Sequence, residues 1–276
     1  MTRRSSQAAA GQILNVATLL VVSLIGIAAF VFPFAQFRDP GATAGRGPAG
    51  TAHAQDAALM FVVLIVLSMG AVMGNMVGSN GGLNAKMVAS LGVLTAVNAV
   101  LRVVPGPAGF SAMYALPILC GYCYGATFGY LLGVLSMAVS ALLGAGIGPW
   151  LPFQMFVMGW IGLTSSWLPR LPRWPRFEVV MLAAWGLVWG IGFGFVLNVW
   201  FWPFIYDSTQ AGLYWQPGVG LVDGFRRYLA FYVVTSVWWD IGRAAGNVVL
   251  IGLFGAPVLR LLRRFGRRFT FERSVL

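Results

Sequence analysis

Near the C-terminal end of the chain, Trp239-Asp240-Ile241-Gly242-Arg243-Ala244-Ala245-Gly246-Asn247 sets three polar side chains into an apolar run. Asp240, Arg243 and Asn247 fall at i, i+3 and i+7, which puts them on one face of a helix. Ionisable groups inside a membrane span are costly and face a cavity or a partner. Two uses of the trio are compatible. Asp240 and Arg243 can neutralise one another between helices, and the same pair, with Asn247, can orient the polar edges of a ligand. Gln154 and Asn198 read first as interhelical hydrogen-bonding groups and second as ligand contacts. Arg102 stands at the end of another apolar run, where it can snorkel to the interface.

A second stretch with chemical content is Gly144-Ala145-Gly146-Ile147-Gly148-Pro149-Trp150, followed by Leu151-Pro152-Phe153-Gln154-Met155. This is a Gly/Pro-broken turn between two apolar runs. At membrane depth such backbone survives only where protein or a water-filled cavity satisfies its amides. Trp150, Phe153 and Gln154 therefore open a helix at a place suited to seating a small ligand, with Trp150 as an apolar wall. The plainer reading is a tight turn with an interfacial Trp anchor.

Much other chemistry is excluded by what the chain lacks. There is one histidine, His53, in a small-residue polar stretch, and the two cysteines form a Cys120-Gly121-Tyr122-Cys123 run inside an apolar helix. Neither a metal cluster nor a Ser-His-Asp triad has residues to draw on, and a CxxC without a βαβ context is a weak redox signal. Lys86 is the sole lysine and sits in NAKMVAS, outside any phosphate-binding glycine loop. The expectation is a protein that is not an enzyme and carries no catalytic cofactor. Any ATP-driven step must come from another chain.

These residues are positioned by a membrane bundle. Apolar residues make up 59% of the 276 and charged residues 9%, with 36 glycines and a mean hydropathy of +0.80. A soluble domain carries about a quarter charged residues. The expected fold is an all-α polytopic helical bundle of about eight spans: 13–33, 57–77, 84–103, 111–124, 125–143, 150–168, 179–200 and 235–262. The first run is too long for a signal-peptide core, and Ala52-His53-Ala54 lies too far beyond it to be its cleavage site. Residues 34–56 read as a loop, 78–82 as a turn, and 201–232 as a polar, aromatic-rich outer segment that could lie over a flat ligand. The organisation expected is two leading helices over 1–80, a six-helix core over 81–266 and a basic tail over 267–276.

The net charge of +11 is topological. With both termini cytoplasmic, Arg3, Arg4, Lys86, Arg170, Arg173, Arg176, Arg260, Arg263, Arg264, Arg267, Arg268 and Arg273 lie inside. Arg38, Arg46, Arg102, Arg226 and Arg227 lie outside. That asymmetry follows the positive-inside rule and argues against nucleic acid as a partner. Ala85, Ala89, Gly92 and Ala96 recur at i, i+4, i+7 and i+11, a small-residue stripe that lets another helix approach closely.

The stretches GIGPWLPFQMFVMGWIGL, NAKMVASLGVLTAVNAVLR and SVWWDIGRAAGNVVLIGLFG resemble the substrate-binding S component of energy-coupling factor (ECF) transporters. The resemblance covers about two thirds of the chain, from Asn84 to Phe269. It implies capture of a vitamin or related micronutrient at the outer face of the cell membrane. It implies docking on a transmembrane T component driven by two ABC ATPase subunits or a fused ATPase. It also implies that Ala85, Ala89, Gly92 and Ala96 form the docking face, and that the pocket draws on the loop after Arg102 and on the last three helices. Among ligands, the GPW-x-P-x-Q-M stretch looks closest to chains assigned to cobalamin or other corrinoids, with riboflavin next. The two leading helices depart from the six-helix pattern. The rival expectation is a stand-alone secondary transporter or channel; a purely structural subunit and an intramembrane enzyme are the remaining classes.

Overall fold

The computed structural model describes residues 2–36, 70, 85–104, 106–107, 110–205 and 208–269. The expected helix at 57–77, the 78–82 turn, His53, Arg38, Arg46 and Arg273 lie outside the described residues. Among the described residues the chain is all-helical, with no strand. Eight α-helices lie among the described residues: α1 (Thr2–Gln36), α2 (Ala85–Val103), α3 (Ala115–Tyr124), α4 (Ala126–Ser140), α5 (Leu151–Ser165), α6 (Pro175–Phe201), α7 (Leu221–Thr235) and α8 (Val237–Phe269).

Among the described residues, five helical stretches are long and apolar enough to cross a membrane: Ala10–Ala35, Ala85–Val103, Ala126–Ala145, Pro175–Phe204 and Val237–Arg267. Of the eight expected spans, 57–77 lies outside the described residues, and 111–124 and 150–168 correspond to the shorter helices α3 and α5. α3 has 10 residues, about 15 Å of helix, half a hydrocarbon core. α5 has 15 residues and is buried along most of its length. Apolar run length alone does not separate a span from a helix enclosed by others.

Two glycine seams hold the bundle. In the first, α3, α4 and α5 meet backbone to backbone. Gly125 turns the chain at φ 98 between α3 and α4. A Cβ added at Gly129 would strike the Gly162 carbonyl, one at Gly162 would strike Gly129, and one at Gly133 would strike the Met158 carbonyl. In the second, α6 runs against α8 through Gly186, Gly190 and Gly194, and a Cβ at Gly190 would meet the Ala244 backbone. Helices in lipid gain little from burying apolar surface against one another, so close approach through small residues supplies the packing.

α1 is a packed member of the bundle. Phe30 meets Phe153 edge-on at 5.0 Å between ring centroids, and Phe153 stacks on Trp200 of α6 at 4.8 Å. Trp160 Nε1 donates to Ser23 Oγ at 3.2 Å, and Gly26 leaves room for the Phe156 ring.

The expected outer segment 201–232 holds more order than a loop. After the 3-10 turns Trp202–Phe204 and Ser208–Leu213 comes α7, an amphipathic helix that buries Tyr228, Phe231 and Tyr232 at i, i+3 and i+4. Arg227 donates to the Ala211 carbonyl at 3.1 Å, and Trp202 Nε1 to the Leu213 carbonyl at 2.9 Å. These bonds tie the 208–213 strap across α7.

Charge is sorted between the two ends. At one end Glu178, 1% exposed, accepts from Arg263 and from Tyr122, and Tyr124 donates to the Leu262 carbonyl at 2.8 Å. Lys86, Arg170, Arg173, Arg176, Arg260, Arg264 and Arg267 share that basic end. Arg102, Arg226, Arg227 and Arg243 belong to the opposite end.

Candidate binding site

At the end away from the basic cluster, the seam between α6 and α8 carries a ladder of polar contacts. Asn198 Nδ2 donates to Ser236 Oγ at 2.7 Å. One turn deeper, Asp240, 2% exposed, is paired with Arg243 and accepts from Tyr232 Oη at 2.8 Å. Gly194 makes this fit: a Cβ there would land on the Asp240 carboxylate. Below, Arg243 reaches the Gly190 carbonyl at 3.4 Å, and Asn247 Nδ2 donates to the Gly186 carbonyl at 3.0 Å. The glycines at 186, 190 and 194 thus supply carbonyl acceptors as well as space. Asp240, Arg243 and Asn247 line one face of α8, and Asn198 of α6 joins the same seam through Ser236.

Arg243 is also boxed by rings. Its Cζ lies 5.4 Å from the Tyr114 ring centroid and 5.1 Å from that of Phe193, and the two rings meet edge-on at 5.1 Å. Tyr114 closes a short 3-10 turn, Ala112–Tyr114, that follows the loop after Arg102. Phe110, just before it, packs on Gly246 of α8. The loop and the last helix are therefore in contact. Burial and the nearby Asp240 carboxylate push the Tyr232 phenol above its usual range, and burial does the same to Tyr228. Tyr232 accordingly stays a proton donor to Asp240.

Arg102 and Gln154 form a second centre. Arg102 donates to Ser140 Oγ at 2.8 Å, to the Met137 carbonyl at 3.3 Å and to Gln154 Oε1 at 2.7 Å. All three acceptors are neutral, so this guanidinium retains its charge uncompensated by these contacts. Tyr114 is within electrostatic reach of both Arg102 and Arg243, so the two centres are neighbours. Asn98, a turn below Arg102 on α2, is 0% exposed. Both its amide atoms, with Thr95 Oγ1, Arg243 Nε and Asn247 Oδ1, are buried without a hydrogen-bond partner among the described residues.

Trp150 is 40% exposed, and its ring folds back over Gly146 and Gly148 of its own turn. That turn departs from regular helix through a π turn, Ala141–Ala145, with Gly144 at φ 112 and Gly146 at φ 91. Ala85, Ala89, Gly92 and Ala96 all lie on the exposed face of α2, and a Cβ at Gly92 would meet nothing within 4 Å. Cys120 and Cys123 are free thiols. Among the described residues there is no group of three or more His, Cys, Asp or Glu side chains that could hold a metal ion.

Sequence reasoning missed Tyr114, Phe193, Ser140, Tyr232 and Ser236 as members of these centres. Tyr232 carries a usable signal, since it falls on the apolar face of an amphipathic repeat that begins at Leu221. Tyr114 and Phe193 are aromatic residues in apolar runs and carry none.

Comparison of the chain with protein families, curated proteins and solved structures found no match.

Proposed function

We propose that this chain is a multi-pass cell-membrane protein, both termini cytoplasmic, that captures a small solute at its outer face. In this reading it is the S component of an ECF-type importer, and the solute is a vitamin, with a corrinoid first and riboflavin next. The observation that carries the reading is the pair of arginine centres at one end of the bundle, Arg102 held by Ser140 and Gln154 and Arg243 held by Asp240 under the Tyr114 ring. Buried, unpartnered polar atoms on Arg243, Asn247 and Asn98 accompany them. A preformed apolar site with a few placed polar groups is how a membrane binder gains affinity and orientation. The cation-poor position of that end supports its assignment to the outside. The exposed small-residue face of α2 supports docking on a transmembrane T component, whose ATPases supply the energy this chain cannot.

The test is native mass spectrometry with absorbance spectra on gently purified protein, followed by thermal shifts with a vitamin panel. A bound chromophore of corrinoid or flavin mass supports the reading, since a ligand well above its dissociation constant stabilises the fold that binds it. Asp240→Ala and Arg243→Ala should each weaken binding more than Gln210→Ala on the exposed strap; equal effects sink the assignment. The buried Asp240 carboxylate favours a second reading, a stand-alone secondary transporter or channel. That reading requires uptake into liposomes under an ion gradient with no partner chain.

A further inference from the structure

A groove of about 650 Å³ runs between α6 and α8 on the half of the seam nearer the basic end, away from the arginine centres. Its walls include Val179, Val180, Ala184 and Leu187 from α6 and Val248 and Gly252 from α8. The groove exists because small residues face one another there: a Cβ added to Gly252 would meet nothing within 4 Å. Arg176 lines its basic end. Arg260 follows Ala256, another lining residue, by one turn on the same stripe. Both arginines are exposed, and neither has a hydrogen bond or ion pair among the described residues.

Two magnitudes select the occupant. From Pro175 to Leu187 the groove extends about 18 Å along the helix at 1.5 Å per residue. One leaflet of hydrocarbon is about 15 Å deep. The groove therefore matches one acyl chain hanging from the headgroup level into a single leaflet. At that level stand two guanidinium groups without carboxylate partners, and arginine pairs with phosphate oxygens bidentately. We infer that this groove binds an anionic phospholipid, its acyl chain along α6 and α8 and its phosphate between Arg176 and Arg260. A zwitterionic lipid would bring a cation of its own to the same place. The site is independent of whatever the opposite end of the bundle captures.

The test uses the full chain reconstituted in phosphatidylcholine vesicles with and without phosphatidylglycerol. Retained lipid is counted by native mass spectrometry after detergent extraction, and melting temperature is read alongside. Wild type should retain phosphatidylglycerol in preference to phosphatidylcholine and melt higher when it is present. The Arg176→Gln/Arg260→Gln double variant should lose about 30-fold in phosphatidylglycerol affinity, each arginine near the headgroups being worth roughly one power of five or so. Gly252→Leu fills the groove while leaving both arginines, and should also abolish retention. Arg264→Gln, an exposed cation at the same end outside the groove lining, should retain the preference. Equal retention of the two lipids by wild type would overturn the inference. So would a loss in Arg264→Gln as large as in the double variant, which would reduce the effect to general surface charge, or full retention in Gly252→Leu.

Discussion

Replacing Asp240 by alanine strands a guanidinium in a buried position, and the structure allows the consequence to be worked out. Removing one partner of a buried ion pair costs about 3–5 kcal/mol. Arg243 is 14% exposed and keeps the Tyr114 and Phe193 rings at 5.4 and 5.1 Å, contacts worth about 0.5–2 kcal/mol each when desolvated. Those rings already hold Arg243 in the wild type, so they offset only what reorientation toward them adds. Asp240→Ala should therefore destabilise by about 2–4 kcal/mol. Arg243→Ala is milder, about 1–3 kcal/mol, because Asp240 keeps Tyr232 at 2.8 Å and can take up a proton instead of remaining charged. With both residues removed, no uncompensated charge is left. The double variant should then lose about 2–3 kcal/mol, well short of the sum, which gives a coupling of about 2 kcal/mol. The assay is reversible unfolding in mixed detergent micelles, with folding followed by tryptophan emission. Additivity of the two single changes to within about 0.5 kcal/mol would refute the pairing argument.

Three further outcomes are expected. Gly162→Ala drives a methyl into the Gly129 backbone and should cost about 3 kcal/mol, whereas Gly186→Ala meets the movable Ile251 Cδ1 at 2.8 Å and should cost under about 1 kcal/mol; melting temperature and size-exclusion profile compare the two. Glu178→Gln, which keeps the shape but removes the charge facing Arg263, should cost about 1 kcal/mol, reduced because Arg263 is 33% exposed and screened. A loss insensitive to added salt would contradict that account. Because the folded Tyr232 phenol is raised above the unfolded value, its contribution to stability is fully present below about pH 10 and is lost as pH climbs through the folded value. Tyr232→Phe should then flatten part of the alkaline fall in melting temperature while leaving the profile from about pH 6 to pH 9 unchanged in shape.

The α6–α8 seam was legible because its polar residues and glycines are sparse against an apolar background and fall at helical spacing. Gly186, Gly190, Gly194 and Asn198 form one row, Asp240, Arg243 and Asn247 another, and membrane energetics drives such rows to face each other. The aromatic partners of Arg243 were not legible. Tyr114 and Phe193 come from separate elements, and nothing in their local sequence distinguishes them from other aromatics. The burial of Glu178 was not legible either, since a carboxylate beside arginines reads as solvated until Tyr122 and Arg263 close over it. The amphipathic helix α7 was hidden by Gly224, Arg226 and Arg227, which suggest a loop unless the i, i+3, i+4 pattern of Tyr228, Phe231 and Tyr232 is weighed. The shortness of α3 and α5 was not legible, because their apolar character reflects enclosure by other helices as much as length.

The meshing of α6 with α8 has a mechanical consequence. A slide of one residue along the seam is a shift of about 1.5 Å, and it would carry the Asp240 carboxylate out of its recess at Gly194 and drive the Ala244 backbone off Gly190. Two rods toothed in this way move only as a single bar. Any sliding of helices within the bundle must then be taken up elsewhere than along this seam.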